Sequence, residues 1–448
     1  MIKPKAIILA GGIGKRMWPI KTNKLLLPFL GRPLIFHTLE AIKKAGIGDL
    51  VVVGRPAIIS QLEKMVGFPD IQVVLQPKPT GLGEAVIKGL KGDFVLKGLK
   101  KAKKSQPILV INANDIFDPD LIKQIIRTGE EGKSEIIIPG LRVKEYFPGG
   151  YLKIKKGQLE KVVEKPLPGK EPTNLVKLVV DYFKNSDDLL KILPQILDRP
   201  DSYEMAINQL AKSGVKIRVV RYKGFWGSIK YPWDILRAMN LFFKHRFPKQ
   251  KGQKPLVSGP VTVTGPVVFE EGVKILEGAK VRGPAYIGAG TIIGNQALVR
   301  ESIIGKNCVV GYGTEIARSY VGDNCWFHTN YVGDSVLEEN VSLGAGTVLA
   351  NLRFDEQKVK SLAGKQKINT NLEKLGAIIG RNAKVGVNAS VMPGVKIGTN
   401  SLVGPGAVLE KDLPENKFCY LKQSLKTRKN KKLFSLKNQL RQKARKKI

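Results

Sequence analysis

The first half of the chain alternates short apolar runs with segments of helical periodicity. Residues 6–10, 49–53, 72–75 and 108–112 have the length and apolar composition of buried strands, and residues 34–44 carry an apolar helical face. This strand–helix rhythm predicts a largely parallel sheet with helices on its faces. Ligands of such sheets lie beyond the carboxyl ends of the strands, so we expect functional residues in the loops that follow them.

The second half shows a different period, in which single aliphatic residues recur every six positions. The clearest run consists of Ile379, Val385, Val391, Ile397, Val403 and Leu409. Such a period predicts a parallel β-helix with one inward aliphatic residue per repeat. The pattern resembles the left-handed hexapeptide-repeat helices of acyltransferases. It is interrupted at 317–345 and 352–376, which we interpret as insertions of the kind that often carry function.

These two patterns divide the chain into domains. We predict an α/β domain over residues 1–245, a polar, basic linker over 246–258, a β-helix over 259–420 and a basic tail over 421–448. The tail has leucines at helical spacing (Leu433, Leu436 and Leu440). It is interpreted either as an amphipathic helix for an anionic surface or as a solvated tail.

The net charge of +37 is unevenly distributed. Residues 1–250 carry 44 basic and 23 acidic side chains, residues 251–420 carry 19 and 15, and residues 421–448 carry 12 and none. A model in which nucleic acid coats the whole chain is therefore weakened, and small anionic substrates of the first domain are favoured.

Cysteine usage and hydropathy narrow the class of protein. The three cysteines, Cys308, Cys325 and Cys419, are scattered and form no C-x-x-C motif, which argues against a disulfide framework and a thiolate zinc knuckle. No apolar run approaches the ~20 residues of a membrane helix. We expect a cytoplasmic protein.

A glycine-rich loop follows the first predicted strand. Residues 9–19 read Leu-Ala-Gly-Gly-Ile-Gly-Lys-Arg-Met-Trp-Pro, and glycines let backbone N–H groups approach phosphates closely. Arg16 and Lys24 add cations for a triphosphate. The loop is not a Walker loop, because no Gly-Lys-Ser/Thr follows, and its spacing differs from the dinucleotide fingerprint.

Together with four later motifs, this loop resembles the sugar-1-phosphate nucleotidylyltransferase family over roughly residues 5–245. The later motifs are Gln-Pro-Lys-Pro-Thr-Gly-Leu-Gly-Glu-Ala at 76–85, Asn-Asp at 114–115, Val-Glu-Lys-Pro at 163–166 followed by Asn-Leu-Val at 174–176, and the segment 226–234. The resemblance implies a Rossmann-like domain in which a sugar 1-phosphate oxygen attacks the α-phosphorus of a nucleoside triphosphate. Pyrophosphate is released, and positioning and charge neutralisation provide the rate.

The resemblance also implies a role for each matching residue. Arg16 and Lys24 would neutralise the triphosphate, and Asp115 would hold catalytic Mg²⁺. The sugar phosphate would be bound by Glu164, Lys165 and Asn174. The nucleotide would be bound by Leu9, Gly11, Gly12, Gly14, Gln76 and Gly81. An amide such as that of Gln76 donates to one edge atom and accepts from its neighbour, which favours a uracil or thymine base and hence UTP or dTTP.

Two departures from the family pattern leave questions open. Ser228 stands where the family usually has its second metal-coordinating Asp. Mg²⁺ would then rest on Asp115, substrate phosphates and waters, or Asp234 would substitute. The sequence Lys-Leu-Val-Val at 177–180 replaces a glycine-containing segment, so the sugar is not identified.

A second candidate site lies in the interrupted part of the β-helix. Residues 327–335 and Gly-Ala-Gly-Thr-Val-Leu-Ala-Asn at 344–351 are similar to the acetyltransferase half of the bifunctional glucosamine-1-phosphate acetyltransferase/N-acetylglucosamine-1-phosphate uridylyltransferases. The resemblance implies that His328 is a general base for an amine that acetyl-CoA acylates. Tyr331 and Asn351 would position the substrate, and Lys358 or Lys360 would meet its phosphate. Alternatively, the helix serves only trimerisation or regulation.

The sequence as a whole predicts a Mg²⁺-dependent nucleotidylyltransferase that forms a homotrimer through its β-helix. Acetyl-CoA would be a second co-substrate if the helix is active. The competing hypothesis is a non-catalytic nucleotide-sugar-sensing or RNA-binding scaffold that retains the fold. We find no aromatic-plus-basic RNA module and expect no specific nucleic-acid partner.

Overall fold

The computed structural model describes residues 3–63, 71–78, 81–92, 106–197, 199–248, 252–429 and 445. The leucines proposed for a tail helix, at 433, 436 and 440, lie outside these residues, as do positions 79–80 of the segment 76–85. Residues 421–429 are exposed and contain neither helix nor strand. In the part of the chain that is described, every helix is too short or too polar to span a lipid bilayer.

The first domain is an α/β sandwich. Its elements are β1 (Lys5–Ala10), β2 (Pro28–Phe29), β3 (Arg32–Pro33), α1 (Leu34–Lys44), β4 (Leu50–Gly54), α2 (Pro56–Glu63), β5 (Ile71–Leu75), α3 (Leu82–Lys91), β6 (Ile108–Asn112), β7 (Asp115–Phe117), α4 (Asp120–Glu131), β8 (Ile136–Arg142), β9 (Gly150–Lys155), β10 (Gln158–Glu164), β11 (Leu175–Lys177), β12 (Val180–Phe183), α5 (Asp187–Ile192), a 3-10 turn (Leu193–Gln195), α6 (Ser202–Lys212), β13 (Ile217–Tyr222), β14 (Trp226–Ser228) and α7 (Asp234–His245).

The central sheet has the order β11-β9-β10-β13-β8-β12-β6-β1-β4-β5. Strands β6, β1, β4 and β5 run parallel, and every residue of β1 is buried because helices cover both faces. Antiparallel β12 between β6 and β8 makes the sheet mixed rather than wholly parallel. The predicted α/β class is confirmed, and the carboxyl ends of β1 and β6 lie side by side.

The second domain is a parallel β-helix, as predicted. Its strands are β15 (Leu256–Val257), β16 (Thr262–Thr264), β17 (Val267–Phe269), β18 (Lys274–Ile275), β19 (Lys280–Arg282), β20 (Ala285–Ile287), β21 (Ile292–Ile293), β22 (Leu298–Arg300), β23 (Ile303–Ile304), β24 (Val309–Val310), β25 (Glu315–Ala317), β26 (Tyr320–Val321), β27 (Trp326–Phe327), β28 (Tyr331–Gly333), β29 (Val336–Leu337), β30 (Ser342–Leu343), β31 (Val348–Leu349), β32 (Lys360–Ala363), β33 (Gln366–Asn369), β34 (Ile378–Ile379), β35 (Lys384–Val385), β36 (Ser390–Val391), β37 (Lys396–Ile397), β38 (Leu402–Val403), β39 (Val408–Leu409) and β40 (Phe418–Cys419).

The six-residue period corresponds to the three faces of each coil. Ile379 pairs with Ile397, Val385 with Val403 and Val391 with Leu409, so residues one coil apart stack in register. These aliphatic side chains are buried in the central core of the helix. The period therefore placed the inward residues of these coils correctly.

The two interruptions of the period have different structures. Residues 317–345 are not an insertion, because strands β26 to β30 continue the parallel stack and only the coil length changes. In contrast, residues 352–376 leave the coil and include the hairpin β32–β33, after which β34 pairs with β29.

The β-helix begins earlier than predicted. Leu256–Val257 already pair with β18, so its first strand lies inside the segment predicted as a linker, 246–258.

The two domains pack against each other through one shared apolar cluster and a buried carboxylate. Glu338, on the β-helix, accepts hydrogen bonds from the backbone N–H groups of Lys21 and Thr22 at 3.0 and 2.7 Å. Arg381 donates to the same carboxylate at 2.8 Å, while its other terminal nitrogen lies 3.1 Å from Glu339. The hairpin contributes as well, since Arg237 of α7 donates to the carbonyl of Thr370. The orientation of the domains is therefore determined by specific polar contacts.

Candidate active site

A cleft lies at the carboxyl ends of β1, β5, β6 and β10. It consists of two joined cavities, which we call the nucleotide cavity (about 280 Å³) and the transfer cavity (about 200 Å³). The residues that line both are Leu82, Asn112, Glu164, Lys165 and Glu204. One continuous space can therefore hold two substrates next to each other.

The glycine loop and Gln76 form one wall of the nucleotide cavity. Leu9, Gly11 and Gly12 line it, together with Gly81. A Cβ atom at Gly11 would lie 2.0 Å from the Gln76 Oε1 atom, so a larger residue would require the Gln76 amide to move. Gly81 has a φ of 135°, a backbone conformation that favours glycine.

The orientation of the Gln76 amide is determined by α3. Its Nε2 donates to Glu84 at 3.0 Å and to the carbonyl of Gly81 at 3.3 Å, and the residue is buried. Both N–H groups are engaged, which leaves Oε1 as an acceptor at the cavity wall. The arrangement suits a base that presents an N–H donor on its edge.

Lys24 lies at the floor of the nucleotide cavity. Its Nζ donates to the carbonyl of Ile229 at 2.9 Å. Burial lowers the pKa of Lys24 to about 8, against the opposing attraction of Asp115 and Asp234. A buried ammonium of this kind offers strong electrostatic stabilisation to phosphate oxygens.

In the transfer cavity, Asp115 faces Ser228 across paired strands. The antiparallel pair β7–β14 puts Ser228 directly opposite Asp115. The Ser228 hydroxyl accepts a hydrogen bond from the Asn114 amide at 2.9 Å and bonds to the Asp115 carboxylate. Burial raises the pKa of Asp115, although the Ser228 hydrogen bond and the charge of Lys230 oppose that change.

Lys230 shares the transfer cavity with Asp115. Its Nζ donates to the carbonyl of Pro148 and lies 3.7 Å from the centre of the Phe147 ring, so the ammonium has a defined position. Burial lowers the pKa of Lys230 to about 7, opposed by Asp115 and Glu164. Sequence reasoning missed Lys230, although the same motif, 226–234, contains it.

Three further cleft residues were not predicted. Asn112, the last residue of β6, lines both cavities and its amide is 3.4 Å from the Asp115 carboxylate. Lys177 lines the transfer cavity and forms a buried ion pair with Asp181. Glu204 on α6 lines both cavities, and burial raises its pKa to about 7. The only sequence feature that marked Lys177 was the replacement of the family's glycine-containing segment by Lys-Leu-Val-Val at 177–180. No motif of the sequence contains Glu204.

Some predicted residues lie away from the two cavities. Arg16 is exposed, with its guanidinium 5.7 Å from the centre of the Tyr231 ring. Gly14 lines a neighbouring cavity of about 660 Å³. Asn174 is exposed and its carbonyl accepts from the N–H of Val143. In contrast, the cleft brings together the other predicted charged and amide side chains: Lys24, Gln76, Asp115, Glu164 and Lys165.

The side chains around Asp115 do not match a metal centre built by the protein. Among the described residues, no group of three or more His, Cys, Asp and Glu side chains could hold a metal ion. Asp234 does not replace Ser228 as a ligand: one of its oxygens accepts from the N–H groups of Lys230 and Tyr231, and the other from Arg237. Among the described residues, Ser228 therefore stands opposite Asp115 where a carboxylate pair would hold Mg²⁺.

On the β-helix, Tyr331 and Asn351 are neighbours on successive coils. The Asn351 amide donates to the Tyr331 hydroxyl at 3.2 Å and also to Asp334. Arg318 holds Asp334 through two hydrogen bonds of 2.7 Å. A Cβ at Gly333 would lie 2.6 Å from the Asn351 amide, so the close approach requires glycine. We call these four side chains the Tyr331 network.

His328 and the two lysines do not join the Tyr331 network within one chain. His328 is exposed, and no hydrogen bond of its ring is found among the described residues. Lys360 is exposed on the hairpin, whereas Lys358 forms an ion pair with Glu145 of the first domain at 2.8 Å. Within one copy of the chain, the predicted acetyltransfer residues His328 and Lys360 are therefore exposed and do not contact the Tyr331 network.

Comparisons with known proteins match both domains. A nucleotidyl transferase family model matches residues 5–226, and a bacterial transferase hexapeptide model (six repeats) matches residues 376–411. The chain is 32% identical over 435 residues to the bifunctional protein GlmU of Methanococcus vannielii, covering 94% of this chain and 98% of that protein. It is 32% identical over 433 residues to a bifunctional sugar-1-phosphate nucleotidylyltransferase/acetyltransferase of Sulfurisphaera tokodaii, covering 92% and 99%.

Proposed function

This chain belongs to the family of bifunctional sugar-1-phosphate nucleotidylyltransferase/acetyltransferases, and we propose that its first domain transfers a nucleotidyl group from UTP or dTTP to a sugar 1-phosphate. The observation that carries the proposal is the continuous cleft, in which Gln76 and Lys24 line one end, Asp115 lines the other and Glu164 lines both cavities. A nucleotide sugar and pyrophosphate are the products.

The choice of base rests on the family resemblance of the Gln76 segment and on the position of Gln76 in the nucleotide cavity. Both N–H groups of the Gln76 amide are engaged by neighbouring described residues, so its Oε1 atom would accept the ring N–H that uracil and thymine present. Lys24 neutralises the triphosphate, and Gly11 and Gly12 allow the backbone close to the phosphates.

The transfer cavity supports in-line displacement without a protein nucleophile. Glu164 accepts hydrogen bonds from sugar hydroxyls, and the neighbouring Lys165 binds the sugar phosphate. Of the described residues that line this cavity, Asp115 is the one aspartate, and Mg²⁺ is the divalent ion that nucleoside triphosphates bring with them. The chain's own share of catalysis is positioning and charge neutralisation.

For the second domain, we propose acetyl transfer from acetyl-CoA to an amino-sugar phosphate in a homotrimer. His328 removes the proton from the amine, and the Tyr331 network positions the sugar. Exposed apolar side chains on outward faces of the β-helix, including Trp326 at 52% and Val408 at 57% exposure, are what contact between copies would cover. His328 and Lys360 would then meet the Tyr331 network across copies.

The first experiment is a pyrophosphate-release panel on the full chain. UTP, dTTP, ATP, GTP and CTP are combined with hexose and hexosamine 1-phosphates. We expect release with UTP or dTTP and one class of sugar phosphate. A preference for GTP or ATP would contradict the base assignment, and no release with any pair would favour the non-catalytic scaffold.

The second experiment measures acetyl-CoA turnover with amino-sugar phosphates. We expect His328→Ala to lower turnover by about 10²-fold or more. The neighbouring exposed Thr329→Ala serves as the matched control and should retain the wild-type rate. Equal, negligible rates in wild type and His328→Ala would eliminate this activity and leave the β-helix an assembly domain.

A further inference from the structure

The charges of the transfer cavity are arranged around an ammonium group. Asp115 lies opposite a serine instead of a second carboxylate, and the Ser228 hydroxyl is already engaged by Asn114 and Asp115. The cavity also contains Lys230, whose Nζ is held by the Pro148 carbonyl and the Phe147 ring. Asp115 therefore shares its cavity with the amino group of Lys230, which is held at a defined position.

This arrangement disfavours a divalent cation bound by the protein. Mg²⁺ prefers several hard oxygen ligands in octahedral geometry. At Asp115 it would face Ser228 instead of a second carboxylate and would be repelled by Lys230, with Lys24 also close enough to influence the Asp115 carboxylate. Asp234 cannot relieve the shortage, because both of its oxygens accept hydrogen bonds.

We propose that this chain docks no divalent cation at Asp115, and that the ammonium of Lys230 supplies the positive charge that the transfer cavity directs at the phosphates. The proposal rests on the proposed nucleotidyl transfer. Asp115 then acts as a positioning residue, which keeps the ammonium charged and in place. A metal ion that reaches the reaction is held by the triphosphate's own phosphates and not by the chain.

The chemical step balances without a proton from Lys230. An oxygen of the sugar phosphate forms a bond to the α-phosphorus, and the bond from that phosphorus to the bridging oxygen breaks. Pyrophosphate leaves with the electron pair of that bond. Lys230 attracts the phosphate oxygens on which negative charge accumulates.

The first test measures metal binding directly and needs no turnover. Mn²⁺ is titrated into the full chain without nucleotide, and the free ion is followed by electron paramagnetic resonance. We expect wild type and Asp115→Asn to leave the same free signal, and Ser228→Asp/Lys230→Met to gain one bound Mn²⁺ per chain. A wild-type Mn²⁺ site that Asp115→Asn abolishes would overturn the proposal, as would a folded double variant without a gain.

The second test measures pyrophosphate release. Lys230→Met should lower kcat about 100-fold with a smaller change in the KM for the triphosphate, and Lys230→Arg should restore much of the rate. The exposed Lys223→Met is the matched control, and thermal unfolding verifies that every variant folds. A wild-type kcat in Lys230→Met would overturn the proposal. If wild type itself releases no pyrophosphate, the proposed function fails, whereas the Mn²⁺ titration still decides whether Asp115 docks a cation.

Discussion

In the cleft of the first domain, residues from nine separate segments converge on enclosed space. In contrast, the Tyr331 network of the β-helix lies on successive coils of one repeating surface. Burial in the cleft shifts the pKa values of Lys24, Asp115, Glu204 and Lys230. On the β-helix, His328 and Lys360 are exposed instead. One chain can therefore complete the first site, while the second depends on what covers the β-helix surface.

The difference has a physical origin in the two folds. A parallel sheet brings distant loops together at one edge, so long-range topology assembles the cleft. A β-helix stacks each coil on its neighbour, so residues one coil apart meet but distant ones do not. The nucleotidyl-transfer site should therefore keep its activity when the chain is a monomer, whereas the acetyl-transfer site should lose its activity.

The largest expected effect separates the two sites. Lys24→Ala should lower kcat/KM for pyrophosphate release by about 10³-fold, because it removes the buried cation at the triphosphate. Acetyl-CoA turnover by the same variant should equal that of wild type. The matched control is the exposed Lys15→Ala on the same loop, which should change either rate less than about threefold. A parallel fall in both activities of Lys24→Ala would indicate that the sites are coupled.

A smaller effect tests the contact that joins the domains. Glu338→Ala should lower the free energy of unfolding by about 3 kcal/mol, because Arg381 and two backbone N–H groups lose a buried acceptor. Thermal unfolding of Glu339→Ala provides the comparison. Glu339 also pairs with Arg381 but is far more exposed, with 41% against 3% of the side chain accessible, so we expect a loss within about 0.5 kcal/mol. Equal losses would contradict the role of burial.

The smallest effect concerns the pH dependence of the cleft. Burial raises the pKa of Glu204 to about 7, so the folded chain favours the protonated carboxyl. The associated stability is complete below pH 4.5 and is lost as the pH rises to about 7, because only the unfolded chain ionises freely. Glu204→Gln should therefore melt like wild type near pH 4.5 but be more stable by about 2–3 kcal/mol at pH 8.

The control for this pH dependence is Glu160→Gln. Glu160 is exposed and pairs with Lys153 at 3.3 Å. Its melting temperature should differ from that of wild type by about the same small amount at every pH. A Glu204→Gln difference that does not grow between pH 5 and pH 8 would contradict a neutral buried carboxyl.

The sequence-based predictions were confirmed where a residue's position depends only on residues close to it in the sequence. The six-residue period correctly placed Ile379 and Val385 inside the β-helix, because each inward residue depends only on its own turn. The glycine loop after β1 was likewise recognisable, since its three glycines lie within four residues directly after an apolar strand. The interruption at 317–345 was misread, because a shortened coil and an insertion disturb the period in the same way.

The pattern of residues along the chain was enough to predict the two types of fold, the order of the cleft motifs, the positions of Gln76 and Asp115 just after β5 and β6, and Lys24 as a candidate cation. Which charges face each other in the cleft became visible from the three-dimensional fold. It placed Lys230 and Glu204 in the cleft, left Arg16 and Asn174 outside its cavities and divided His328 from the Tyr331 network. The physical reason is that burial and charge pairing depend on distances between segments far apart in the chain, which no local pattern records.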